Sequence, residues 1–253
     1  MNQSDHDIWH GVSDERIEQS KAYFDRTARL AWSYSCSILI GCPKRPTVDA
    51  SSGTGVVLRI GNEHFVLTAR HVVTGYERML VGANHGHFQI GQLTICPSCR
   101  LVHDDVVNDL AVLAIAPAEV AELGSTPYVI DEHWSPPLLK VGQQIQFCGY
   151  ARINRVDGDA GEVNSTVLPL IAEISNCDDA HFSVVIEREK YRWAGDCLLR
   201  PDQKFLGGMS GGPALLLDDP GFPLIGVVSE GHDDFGIVSF RPISLVPWHS
   251  FVS

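Results

Sequence analysis

Over residues 13–32 the apolar residues Ile17, Phe24, Ala28 and Ala31 recur at the three-, four- and seven-residue steps that line one face of a helix. Ser13, followed by Asp14 and Glu15, supplies an N-cap and acids for the positive end of the first turn. One amphipathic helix is predicted there. Beyond it the pattern changes to short runs rich in Val, Ile, Leu and Phe, separated by Gly, Pro, Asn and Asp. These runs predict strands over 34–40, 55–60, 64–69, 78–81, 87–95, 99–103, 110–115, 144–150, 165–174, 182–186, 212–217, 224–229 and 236–242. Helical stretches do not alternate with them, so the expected class is all-β, an antiparallel sandwich or barrel rather than a parallel sheet. Residues 116–139 break the rhythm with Pro117, Gly124, Pro127, Pro136 and Pro137, dividing the β region into two comparable halves. The expected organisation is a helical segment over 1–32, a first barrel over 33–125, a linker over 126–140 and a second barrel over 141–253.

Composition narrows the function classes. Of 253 residues, 44% are hydrophobic, enough for a sizeable core. The 31 acids exceed the 19 Lys and Arg by a net charge of −12, which repels phosphate backbones and anionic headgroups. Neither nucleic acid nor membrane is an expected partner. The start, Met1-Asn2-Gln3-Ser4-Asp5, is not a basic segment leading into an apolar run, so no secretory signal is expected. Seven cysteines, odd in number and scattered, suit a reducing compartment, and the expected location is the cytoplasm.

The most specific string is Gly207-Gly208-Met209-Ser210-Gly211-Gly212-Pro213. Glycines around a serine make a tight turn that exposes the hydroxyl and leaves backbone amides free to bind a developing oxyanion. A serine nucleophile also needs a base in reach and a carboxylate to orient it. His71, at the end of the predicted strand 64–69, and Asp109, at the mouth of the predicted strand 110–115, are candidates; each alone reads equally as a structural histidine or a turn acid.

Taken in order, Thr68-Ala69-Arg70-His71-Val72-Val73, Asn108-Asp109-Leu110-Ala111-Val112-Leu113 and Gly208-Met209-Ser210-Gly211-Gly212-Pro213 resemble the trypsin-like serine peptidases of the chymotrypsin fold, particularly bacterial members of the heat-shock-protease type. Gly53-Thr54-Gly55-Val56-Val57, Gly226-Val227-Val228-Ser229-Glu230-Gly231 and Gly236-Ile237-Val238-Ser239-Phe240 extend the resemblance over about 34–247. It implies two six-stranded antiparallel barrels with the site between them, and a serine endopeptidase acting through an acyl-enzyme on protein or peptide substrates. By the same resemblance Ser210 is the nucleophile, His71 the base, Asp109 its orienting acid with Asp104 and Asp105 as alternatives, and the Gly208 and Ser210 amides the oxyanion hole. Ser229, Glu230 and Gly231 would pair with the substrate backbone. Gly236 would wall the primary pocket and Lys204 would stand at its floor, which is not the acid that selects basic residues in trypsin. Met209 replaces the aspartate that in trypsin-type zymogens pairs with a new amino terminus. Regulation is therefore expected from a partner protein, the leading helix or loop ordering.

Other chemistry is possible on paper. Gly208-x-Ser210-x-Gly212 also satisfies the nucleophile elbow of α/β-hydrolases, with Asp218 or Asp219 and His232 or His249 as partners, but that elbow must open a helix and residues 213–220 read as strand and turn. A chain that uses the barrel cleft only to hold a peptide is the non-enzymatic alternative. His85, His87, Cys96 and Cys99 have spacings that could hold zinc or could simply be reduced cysteines beside a hairpin; no cofactor is expected.

Overall fold

The computed structural model describes residues 13–41, 51–83, 86–151, 155–157, 163–187 and 206–251. Helix α1 (Asp14–Ser33) begins where Ser13 Oγ accepts the Arg16 amide, as the N-cap pattern predicts. Strands β1 (Ser35–Gly41), β2 (Ser51–Ile60) and β3 (Glu63–Ala69) follow, then helix α2 (Arg70–Ala83). Next come β4 (His87–Ile90), β5 (Leu93–Ile95), β6 (Leu101–Asp105), β7 (Leu110–Ile115) and β8 (Tyr128–Ile130). The second half contains β9 (Gln144–Gly149), β10 (Arg155–Asp157), β11 (Val163–Ser165), β12 (Leu168–Cys177), β13 (Phe182–Val185), β14 (Pro213–Leu216), β15 (Leu224–His232) and β16 (Ile237–Pro242).

The fold class is the expected one. In the second half β12-β13-β16-β15-β14-β9 closes into a six-stranded barrel with antiparallel pairs throughout. The first half is a curled half-barrel, an eight-stranded sheet in the order β5-β4-β1-β2-β3-β7-β6 with β8 parallel to β2. The expected strand 78–81 is instead the second half of α2. Val72, Val73 and Tyr76 keep the helical period and enter the core of the first half, with Met79 and Leu80 packed against it. The proline-broken stretch after β7 holds a 3₁₀ helix (Pro117–Leu123) as well as β8, so it is partly structured.

Among the described residues, three apolar cores form. One fills the closed barrel, where Phe182 and Phe240 stack with centroids 4.8 Å apart. A second lies under α2 around Phe88, Ile38 and Leu113. The third joins the halves: Val56, Leu67 and Val112 of the first pack with Cys148, Leu215 and Val227 of the second. Helix α1 lies against the second barrel, with Thr27 Oγ1 3.0 Å from the buried Gln146 Oε1 and Tyr23 Oη donating to the Leu217 carbonyl. Among the described residues no helix is long and apolar enough to cross a membrane.

Candidate active site

Strand β3 delivers His71 to the first turn of α2, where a helix has amides without intrahelical partners. Asp109 satisfies two of them. Its carbonyl accepts the Arg70 N–H at 3.0 Å and its Oδ1 accepts the His71 N–H at 2.8 Å. The other carboxylate oxygen, Oδ2, lies 2.9 Å from His71 Nδ1. An ionised carboxylate only accepts, so Nδ1 carries the proton of that bond. The His71 ring is about half exposed, at 52%, against 23% for the Asp109 side chain.

Asp109 reaches this position from the turn before β7, with φ at 54°, a left-handed conformation that aspartate tolerates better than most residues. Asp105 braces the turn by accepting from the Asn108 amide and side chain at 2.9 and 2.7 Å. Asp104 pairs with Arg70 Nε. Of the three candidate acids, only Asp109 meets His71.

The second half adds a further donor. Ser229 Oγ donates to Asp109 Oδ2 at 2.9 Å. Pairing of β15 with β16 shifts register between Val228 and Glu230, so Ser229 sits in an irregularity of the kind that re-aims a side chain. Removal from water, the largest single influence, pushes the Asp109 carboxyl up. The hydrogen bonds and charge of His71, with the Ser229 hydroxyl, act against it and hold the group below its ordinary value.

Ser210 lies on the glycine loop, where Gly208 and Gly211 take φ values of 90° and 87° that glycine adopts without strain. A Cβ on Gly211 would run into Thr54 O and Thr68 Oγ1. That contact sets the loop against the end of β3. The Gly211 amide donates to Val228 O at 2.6 Å and the Gly212 amide to Met209 O at 2.8 Å. Among the described residues, the Gly208 and Ser210 amides donate to no acceptor, and no hydrogen bond joins Ser210 to His71. The Met209 side chain is fully buried in the core of the closed barrel.

Thr54, from the first half, holds this loop. Its amide donates to Ser210 O at 2.8 Å, and its hydroxyl donates to Gly208 O at 2.9 Å while accepting the Tyr150 amide at 2.9 Å. Its carbonyl accepts Thr68 Oγ1 at 2.8 Å. In the sequence, Gly53-Thr54-Gly55-Val56-Val57 stands out only as part of the family resemblance. The available signal was a single polar side chain inside a glycine and valine run. Ser229 was expected to offer its backbone, and its hydroxyl on Asp109 was not foreseen.

Along β15, Glu230 is exposed with Oε1 3.5 Å from His232 Nε2, and a Cβ on Gly231 would come within 2.7 Å of Leu206 Cβ. The Leu206 amide donates to Asp233 Oδ1 at 3.3 Å. Gly236, at φ 63°, accepts the Ile186 amide at 2.6 Å and has no space for a side chain against Ile186 O. Lys204 and His85 lie outside the described residues. Among the described residues, no three His, Cys, Asp or Glu side chains group as metal ligands.

Among solved structures, the chain is similar to the human heparin binding protein, at 14% identity over 85% of this chain and 90% of that one, with a TM-score of 0.51. It is also similar to the active form of the Rv3671c protease from M. tuberculosis, at 20% identity over 89% and 81%, with a TM-score of 0.48. A third is the thermostable serine protease AL20 from an extremophilic microorganism, at 15% identity over 84% and 92%, with a TM-score of 0.46. No curated protein matches the chain. The model of the trypsin-like peptidase domain matches residues 53–227, well over half the chain, and this protein belongs to that family.

Proposed function

We propose that the protein is a serine endopeptidase in which Ser210 is the nucleophile, His71 the general base and Asp109 its orienting acid. The observation that carries this reading is the Asp109 carboxylate, held at 2.9 Å by His71 of the first half and at 2.9 Å by Ser229 of the second. In the proposed reaction Ser210 Oγ attacks the scissile carbonyl carbon while His71 Nε2 takes its proton. The oxyanion formed is received by the unengaged amides of Gly208 and Ser210, each worth roughly 10² to 10³ in rate. His71 then protonates the leaving amine, and a water molecule activated by the same base releases the acyl group.

Ser229, Glu230 and Gly231 are proposed to pair with an extended substrate chain, as an added strand. Glu230, Asp233 and Asp234 give that edge a negative lip, which favours basic or small uncharged residues before the cut bond. Free cysteines at positions 36, 96, 99, 148 and 177 support a reducing, cytoplasmic setting.

The test is reaction of full-length protein with a fluorophosphonate probe, followed by peptide mass mapping. Label on Ser210, lost in Ser210→Ala together with protein hydrolysis, is the expected result. A chain that binds peptides yet takes no label at Ser210 would be a peptide-holding protein with no hydrolytic role.

A further inference from the structure

Outside the candidate active site, Cys96 and Cys99 meet on the surface around one short turn. The Cys99 thiol donates to Cys96 Sγ at 3.0 Å, and the Ser98 hydroxyl lies 3.2 Å from the same sulfur. Both side chains are exposed. The turn is held from both sides. Buried Ile95 and Pro97 anchor it, Cys99 N–H donates to Cys96 O at 3.1 Å, and Arg100 forms two bonds to Glu119 at 3.1 and 2.8 Å. The two sulfurs thus need to close only about 1 Å to reach disulfide length.

The other described cysteines lack this combination. Cys36 and Cys148 are fully buried, and burial pushes both thiols up to about 12. Cys177 is partly buried and donates at 3.8 Å to the Leu139 carbonyl. We propose that Cys96 and Cys99 form a redox-active dithiol that reduces low-molecular-weight disulfides and closes to an intramolecular disulfide.

Cys96 is the attacking thiol. Its sulfur receives hydrogen bonds from Ser98 and Cys99, which hold the thiol below its ordinary value, whereas giving that hydrogen bond raises Cys99. The Cys96 thiolate attacks one sulfur of the small disulfide, forming a mixed disulfide and expelling one thiolate. Cys99 then attacks Cys96 Sγ, breaking the mixed bond and expelling the second thiolate. The two protons lost by the cysteines end on the two small thiols, so the protein pair is oxidised by two electrons and the small disulfide is reduced by two. This site is independent of the peptidase reading.

The test uses native full-length protein, oxidised glutathione and a maleimide quench. Trypsin cuts after Arg78 and Arg100, releasing a peptide whose only cysteines are Cys96 and Cys99. The expected peptide takes no maleimide, has lost the mass of two hydrogens, and regains two reactive thiols after reduction. Cys99→Ser should accumulate glutathione on Cys96, while Cys96→Ser should react at Cys99 about tenfold more slowly. A peptide still carrying two maleimides after prolonged exposure to excess oxidised glutathione would overturn the proposal. So would one equivalent of zinc on the purified protein that blocks oxidation until a chelator removes it, since the pair would then be metal ligands.

Discussion

The Thr54 amide donates to the Ser210 carbonyl across 2.8 Å, tying a strand of the first half to the glycine loop of the second. The same residue's hydroxyl holds Gly208 O and the Tyr150 amide, and its side chain is wholly buried. Thr54→Val keeps the shape but leaves both partners unpaired, at a cost of about 1–3 kcal/mol each where no water replaces the bond. Thr54→Ser keeps both bonds. The expected outcome is a lower melting temperature and fluorophosphonate labelling slower by roughly 10² for the valine variant, the size of one oxyanion donor. Near-native behaviour is expected for the serine variant. Equal labelling of the two would show that Thr54 does not set the Gly208 loop.

The candidate acids Asp109 and Asp104 are separable by mutation. Asp109→Asn removes the charge that orients His71 and should lower hydrolysis by roughly 10⁴, as in the serine-protease template. Asp104 instead pairs with Arg70, whose guanidinium also meets Glu77 at 3.2 Å, so Asp104→Asn leaves that arginine a partner. A loss below about tenfold is expected for it, since surface ion pairs contribute little. Steady-state kinetics on both variants decides the assignment, and a larger defect in Asp104→Asn would reverse it.

Much of this arrangement is legible in the chain, and the gaps have physical causes. His71 and Asp109 stand out because each sits at the end of an apolar strand run, and Ser210 because glycines surround it. The expected strand 78–81 failed because a window that short holds β-compatible residues, whereas the longer span from Val72 to Leu80 has the helical period. The half-barrel form of the first half cannot be read locally either. It depends on which strands pair, and β8 joins β2 in parallel across a long separation. The hydroxyl of Ser229 reaches Asp109 only through a register shift in β15, a tertiary feature without a sequence period.

Ser229 also contributes to how the site responds to acid. Asp109 is held below its ordinary 3.8, so its contribution to stability is fully present above that pH and is lost as the pH falls through the lower folded value. Ser229→Ala deletes one of the interactions holding it down, and the folded value should move back toward 3.8. Acid unfolding followed by tryptophan fluorescence should therefore begin at higher pH in the variant. Labelling at neutral pH should fall by about tenfold, in line with the loss of one hydrogen bond to a charged group. An unchanged acid transition would mean that His71 alone sets the Asp109 charge.

In the zymogen scheme implied by the family resemblance, an acid beside the serine pairs with a freed amino terminus. Here Met209 occupies that position, with its side chain fully buried among the apolar residues of the closed barrel. It can order the loop by packing, without a charge. Cutting after α1 would also strip the buried Gln146 of Thr27, whose Oγ1 now lies 3.0 Å from its Oε1. The uncut chain should therefore react with a fluorophosphonate as purified, its intact mass unchanged apart from the label. Removal of residues 1–33 should lower the melting temperature and slow the reaction. Met209→Asp should destabilise the barrel by several kcal/mol, because its carboxylate would be buried without a partner. Labelling that emerged only after proteolytic trimming would instead mean that a new amino terminus completes the site.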